Sequence, residues 1–135
     1  LQLIRQHAGP QYEPFRFLEI GAGVALISRV FKAEFPDSEV KGLEINPKLI
    51  HQSRAIFPLI AVEQVDAMEY NQFRAFNVIY YYRLFKDEKM QSKLEYKIEN
   101  ECIERTYLIC NFKSDANILT NSAFEHLGSN VFYKR

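Results

Sequence analysis

The chain has no tryptophan, and among its 135 residues there are only two cysteines, five glycines and five prolines. The cysteines, Cys102 and Cys110, are too few and too far apart for a C-x-x-C redox or zinc motif. They read as small buried apolar side chains in a reducing compartment. No His, Cys, Asp and Glu cluster has metal-ligand spacing, so no metal is expected. No apolar run approaches the ~20 residues a membrane helix needs, and no membrane partner is expected. Charge of one sign is also lacking: 17 basic side chains face 17 acidic ones. That balance leaves no basic stripe of the kind a nucleic-acid binder carries. The opening Leu1-Gln2-Leu3-Ile4-Arg5-Gln6-His7 is short and amphipathic, unlike a secretory signal, so a cytoplasmic protein is expected. The first residue is not Met, and residues upstream of it are expected to be missing. Glycine and proline form no linker, and no repeat or low-complexity tract divides the chain.

What remains is the composition of an ordinary globular domain, 47% hydrophobic and 25% charged, with eight Tyr and eleven Phe to fill the core. A chain of this length makes one domain, large enough for a single sheet covered by helices. Residues 1–8 read as a helix closed by Gly9-Pro10, and 11–14 as a connector, so 1–14 is set apart from a domain over 15–135. A strand over 15–20 precedes a helix over 24–35, whose apolar positions Ile27, Val30, Phe31 and Phe35 keep a helical period. A second strand over 40–45 leads into Asn46-Pro47, an N-cap followed by proline at the first helical position, and a helix over 47–57. Strands follow over 61–65 and 76–82; the latter is the most continuous apolar run, as a central strand requires. Met90, Leu94, Ile98 and Cys102 recur every four residues along a helix over 87–103, and its Lys and Glu residues read as a solvated face. A fifth strand covers 106–112, and 123–127 with 130–133 form a closing antiparallel pair around Gly128.

Strand and helix alternate, which predicts an α/β fold: a doubly wound, mostly parallel, Rossmann-like sheet with helices on both faces and an antiparallel last strand. Ligands of such sheets bind beyond the carboxyl ends of the strands. The first strand ends Glu19-Ile20-Gly21-Ala22-Gly23, where glycine permits a sharp turn and close approach of a ligand to the main chain. The second ends at Glu44, about twenty residues on, placed to accept hydrogen bonds from ribose hydroxyls. The third ends at Asp66-Ala67, where a carboxylate can accept from an exocyclic amine. Leu26 stands where a dinucleotide fingerprint needs its third glycine, which disfavours an NAD-type cofactor. The acid at Glu19 suits a ligand with positive charge, and S-adenosylmethionine carries an ammonium and a sulfonium.

These motifs together resemble the class I (Rossmann-like) S-adenosylmethionine-dependent methyltransferases. Phe17-Leu18-Glu19-Ile20-Gly21-Ala22-Gly23 is similar to that family's first motif, and Gly42-Leu43-Glu44-Ile45-Asn46-Pro47 to its ribose-binding strand. Val65-Asp66-Ala67 resembles its adenine-contacting motif, and Phe76-Asn77-Val78-Ile79-Tyr80-Tyr81-Tyr82 its fourth strand. The resemblance runs over about 15–112 and implies S-adenosylmethionine as cofactor. It places Gly21 and Gly23 under the methionine portion and Glu44 at the ribose, with Ala22 and Ile45 beside them among the cofactor-binding residues. Asp66 and Ala67 would stand at the adenine, and Tyr80, Tyr81 and Tyr82 where cofactor meets acceptor. The implied activity is methyl transfer to a small-molecule or protein acceptor. The alternatives are a non-catalytic methyltransferase-like binding module and, third, a dinucleotide-dependent oxidoreductase. Two positions depart from the pattern: Ala25 stands at a third glycine, and Asn77 where the fourth strand usually opens with Asp. The family's helix is expected to be absent between 112 and 123. His7, His51 and His126 are scattered, and no catalytic residue is assigned.

Overall fold

The computed structural model describes all 135 residues. Seven strands form one sheet: β1 (Arg16–Ile20), β2 (Glu39–Glu44), β3 (Ala61–Gln64), β4 (Val78–Tyr82), β5 (Tyr107–Asn111), β6 (Phe124–Gly128) and β7 (Val131–Lys134). Four helices accompany them: α1 (Gln2–Ala8), α2 (Leu26–Glu34), α3 (Pro47–Ile56) and α4 (Glu88–Glu101). The strand order is β3-β2-β1-β4-β5-β7-β6, parallel from β3 to β5, with β7 antiparallel to both of its neighbours. This is the predicted architecture, with element ends within about two residues of those read from the sequence. The largest displacements, two residues each, are at the start of α2 (Leu26 instead of residue 24), the start of β4 (Val78 instead of 76) and the end of α4 (Glu101 instead of 103). No helix is long and apolar enough to cross a membrane.

Side chains alternate across the sheet as the pleat requires. Phe17, Val78, Tyr107, Ile109 and Val131 point to one face, where Ile4 of α1, Phe31 of α2 and Phe35 just after it cover them. Leu18, Ile79, Tyr81, Leu108, Cys110 and Phe132 point to the other, where Leu94 and Ile98 of α4 close the core. Ile4 is fully buried, so the 1–14 segment packs directly on the domain. Only short 3-10 turns, Phe73–Ala75 and Asn117–Thr120, stand between β3 and β4 and between β5 and β6. The helix expected to be missing after residue 112 is indeed replaced by such a turn.

One backbone feature explains the late start of α2. Ala25 is fully buried and holds a left-handed conformation, φ 65° and ψ 33°, at the N-cap. A residue with a Cβ pays about 1 kcal/mol for that conformation, and glycine does not. Ala25→Gly is therefore expected to leave stability within about 0.5 kcal/mol of wild type, the relief of strain being offset by loss of one buried methyl worth about 0.8 kcal/mol. Chemical denaturation checks this, and a drop beyond that range would show that the methyl matters more than the strain.

Candidate functional site

The chain leaves β1 outward to β2 and β3, then returns to the other side of β1 for β4. The crevice between the carboxyl ends of β1 and β4 is the switch point where such sheets bind ligands. A cavity of about 340 Å³ opens there, lined by Gly21, by Leu43, Glu44 and Ile45, by Val65, Asp66 and Ala67, and by Tyr82, Arg83, Leu84 and Phe85. Thus five of the ten predicted site residues line one cavity: Gly21, Glu44, Ile45, Asp66 and Ala67. They come from the ends of three strands and are assembled by register alone.

Glu44 is turned inward. Its Oε1 accepts from the Gly23 N–H at 2.8 Å, and its Oε2 accepts from the N–H groups of Ile45 at 2.8 Å and Asn46 at 2.9 Å. The carboxylate therefore ties the glycine turn to the end of β2. Of its roughly four acceptor positions, three are taken by main chain, so one remains on Oε1. Asp66 accepts from the Met68 N–H through Oδ1 at 2.9 Å, and Oδ2 has no protein donor. Gly21 has φ 72°, and a Cβ there would stand 3.2 Å from Leu84 Cγ, so the loop after β4 closes over it.

The other five predicted residues stand outside the lining. Glu19 is 4% exposed and spends Oε2 on α2, accepting from the Ser28 N–H at 2.8 Å and hydroxyl at 2.6 Å. Burial pushes its carboxyl above the usual carboxylate range, against the lowering by Ser28. It thus anchors the helix that follows the turn. Ala22 packs on β2, where a Cβ at Gly42 would come within 2.7 Å of the Ala22 Cβ. Only glycine at 42 allows that approach, a role that the sequence pattern did not reveal. Gly23 presents its N–H to Glu44 behind the lining.

The tyrosines require a correction. Tyr81 is fully buried on the α4 face, its hydroxyl has no hydrogen-bond partner, and burial drives its pKa far upward. Tyr80 points to the opposite face, where its hydroxyl accepts from Asn111 Nδ2 at 3.0 Å. Tyr82, the last residue of β4, reaches the cavity. The period of two turns Tyr81 away from the side of Tyr82, while Tyr80, on that same side, stands two residues back from the strand end.

Gln91 was also missed. It is fully buried in α4, and its Oε1 accepts from the N–H groups of Leu84 at 3.0 Å and Phe85 at 3.1 Å, which fixes the loop that walls the cavity. The polar side of α4 was read as solvated, yet Glu95 is fully buried as well. Its carboxylate accepts from Lys113 Nζ at 2.8 Å and from the N–H groups of Ser114 and Asp115, both at 3.0 Å. Lys113 Nζ also donates to Glu99 at 2.6 Å. The loop after β5 supplies these partners, which an argument from helix periodicity alone cannot see. Asn77, by contrast, is structural, accepting from the Arg16 N–H through Oδ1 at 2.7 Å.

No protein-family model matches the sequence. Over 71 residues the chain is 32% identical to trans-aconitate 2-methyltransferase of Methylobacterium radiotolerans, a stretch covering 53% of this chain and 27% of that protein. An amino pentose methyltransferase from Micromonospora echinaspora, solved with S-adenosylmethionine bound, superposes with a TM-score of 0.66 at 17% identity, over 81% of this chain and 45% of that one. The DesVI protein of Streptomyces venezuelae superposes with a TM-score of 0.62 at 16% identity, over 73% and 42%. The chain thus spans about a quarter of the length of the sequence relative and under half of these two structures. Its fold is that of the class I, Rossmann-like S-adenosylmethionine-dependent methyltransferases.

Proposed function

We propose that the chain binds S-adenosylmethionine in the cavity between β1 and β4 and serves a methyltransferase. The observation that carries this reading is the convergence of Gly21, Glu44 and Asp66 on that one cavity. In it, Gly21 gives the methionine portion a close approach to main chain, the open acceptor position of Glu44 receives the ribose, and the free Oδ2 of Asp66 faces the adenine amine. Ile45, 62% exposed at the end of β2, offers the adenine an apolar surface. The sequence relative and the amino pentose methyltransferase named above support the same assignment.

When bound, the cofactor supplies a methyl group already activated on a sulfonium, so the protein needs no general base to raise its reactivity. The chain's own part is to hold donor and acceptor in line and to exclude water. Leu84 and Phe85, pinned by Gln91, form the wall that does so on the β4 side. The acceptor is a small molecule or a protein, in a reducing compartment of the cell.

Isothermal titration with S-adenosylmethionine, S-adenosylhomocysteine and NAD tests the reading. Both adenosyl compounds are expected to bind with one site per chain, and NAD is not. Absence of binding by either adenosyl compound at millimolar concentration would falsify it and leave the non-catalytic module as the reading.

A further inference from the structure

Beside the cavity two aromatic rings stand in the open. Tyr82 is 54% exposed and Phe112 67%, and their ring centroids lie 5.2 Å apart at 64°, an edge-to-face corner. Rings of this size are ordinarily buried in the core, as most of the others in this chain are. Tyr82 ends β4 and lines the cavity, whereas Phe112 immediately follows β5.

Phe112 holds a left-handed backbone, φ 55°, which is a genuine outlier for a bulky side chain. Strain of this kind persists only where the surroundings impose it. Here both sides of Phe112 are fixed. Asn111 donates to the Tyr80 hydroxyl and accepts from Asn130 Nδ2. Lys113 is held by Glu95 and Glu99, and the next two N–H groups are held by Glu95. A buried ion triad and an amide bridge therefore keep an exposed phenyl ring beside the mouth of the cavity.

The charged groups around this corner are already engaged. The Arg83 guanidinium donates to the carbonyls of Phe85 at 3.0 Å and Lys86 at 3.3 Å within its own loop. Lys113 is neutralised by its two carboxylates, Asp115 accepts from the N–H and Nδ2 of Asn117, and Asp87 caps Met90. A polycarboxylate acceptor would have to draw the Arg83 guanidinium away from the carbonyls of Phe85 and Lys86. A cationic acceptor would be repelled by the sulfonium of the donor, and the nearby carboxylates of Asp87 and Asp115 are turned to N–H groups of their own loops. A flat neutral ring suits the corner, stacking on one ring and meeting the edge of the other.

We propose that Tyr82 and Phe112 are the acceptor platform, and that it takes a neutral aromatic or heteroaromatic compound bearing the nucleophilic atom. This rests on the cofactor assignment above for the direction of transfer. The acceptor's heteroatom lone pair forms the bond to the methyl carbon. The carbon–sulfur bond breaks with its electron pair kept by sulfur, and the acceptor's proton leaves to solvent.

The test uses 2-naphthol as the aromatic probe, with trans-aconitate and putrescine as tricarboxylate and diamine comparators. Binding is read by saturation-transfer NMR and by naphthol fluorescence, with S-adenosylhomocysteine present. Phe112→Gly is the decisive variant, because glycine relieves the left-handed backbone while removing the ring, so the fold is retained. Naphthol is expected to bind the wild type, and Phe112→Gly and Tyr82→Ala are each expected to weaken it about tenfold. Tyr82→Phe should stay within about twofold of wild type, since the ring is kept. An unchanged naphthol affinity in Phe112→Gly overturns the platform, as does displacement of naphthol by either comparator. If S-adenosylhomocysteine binds and naphthol does not, the platform falls and the cofactor reading stands. If naphthol binds through the two rings and S-adenosylhomocysteine does not bind, the cofactor reading falls and the aromatic site stands.

Discussion

Glu44→Ala is expected to lower the affinity for S-adenosylhomocysteine about 10- to 150-fold, the equivalent of about 1.5–3 kcal/mol for one charge-assisted hydrogen bond. The structure adds a second reason for a loss of this size. The carboxylate also receives the N–H groups of Gly23, Ile45 and Asn46, so its removal releases the glycine turn from β2 and leaves three part-buried donors to find other partners. Glu44→Gln isolates the Oε1 side of the carboxylate, which holds both the Gly23 N–H and the open acceptor position. The amide oxygen can still accept from Ile45 and Asn46, but the amide nitrogen cannot accept from Gly23. That variant should lose about 1–3 kcal/mol of stability, because the Gly23 N–H is left facing an amide nitrogen, and bind more weakly than the wild type while keeping the Ile45 and Asn46 contacts. Calorimetric titration of both variants, beside thermal unfolding of the free proteins, gives the answer. Unchanged affinity in Glu44→Ala would remove the ribose assignment.

What made the sequence legible was burial on two faces. A parallel strand covered by helices on both sides must be apolar at nearly every position, so β1, β4 and β5 showed as continuous apolar runs with sharp ends. Asn46 and Pro47 marked the start of α3 because an N-cap side chain has a local partner, and Asn46 Oδ1 does accept from the Lys48 N–H at 3.0 Å. The ends of these elements then set the positions of Gly21, Glu44 and Asp66, and so most of the cavity followed from the sequence. Ile45 and Ala67 came with them, being neighbours in the chain.

The parts that were not legible depend on partners distant in sequence. Glu19 was read as facing a cationic ligand, because an acid beside a glycine turn looks like a binding group. Its actual partner, Ser28, lies nine residues on and on the face dictated by the pleat. Tyr80 and Tyr81 cannot both reach a site at a strand end, and the chain alone does not say which face that site takes. Gln91 and Glu95 sit among Lys and Glu residues that are indeed solvated, and only the loops after β4 and β5 draw these two inside. Ala25 is the subtlest case. Its departure from glycine was visible, but the left-handed backbone it must adopt became visible only in three dimensions.

Lys113→Met is expected to destabilise the protein by about 2–4 kcal/mol at neutral pH, because it leaves the carboxylates of Glu95 and Glu99 facing each other with no cation between them. For a chain of this length that is a fall in Tm of about 7–14 °C. The loss should depend on pH, and its sign follows from the wild-type groups. Burial pushes the Glu95 carboxyl up, but the Lys113 ammonium and the Ser114 and Asp115 N–H groups outweigh it, so it titrates below the ordinary range. A lowered native pKa contributes stability above the unfolded value, and that contribution fades as pH falls through the native one. Burial also raises the Glu99 carboxyl, where Lys113 only partly compensates. Without the ammonium both carboxyls are left to burial and mutual repulsion, which raise a native pKa. A raised pKa penalises the fold above it, and the penalty is relieved as protons bind on acidification. Wild type and variant should therefore differ most at neutral pH and converge as pH falls through the carboxylate range. Thermal unfolding of both proteins between pH 7 and about pH 4.5 measures the gap, the lower limit being set near the ordinary carboxylate pKa. A gap that stays constant over that range would show that the Lys113 stem, through its packing alone, and not its charge, supports the loop that carries Phe112.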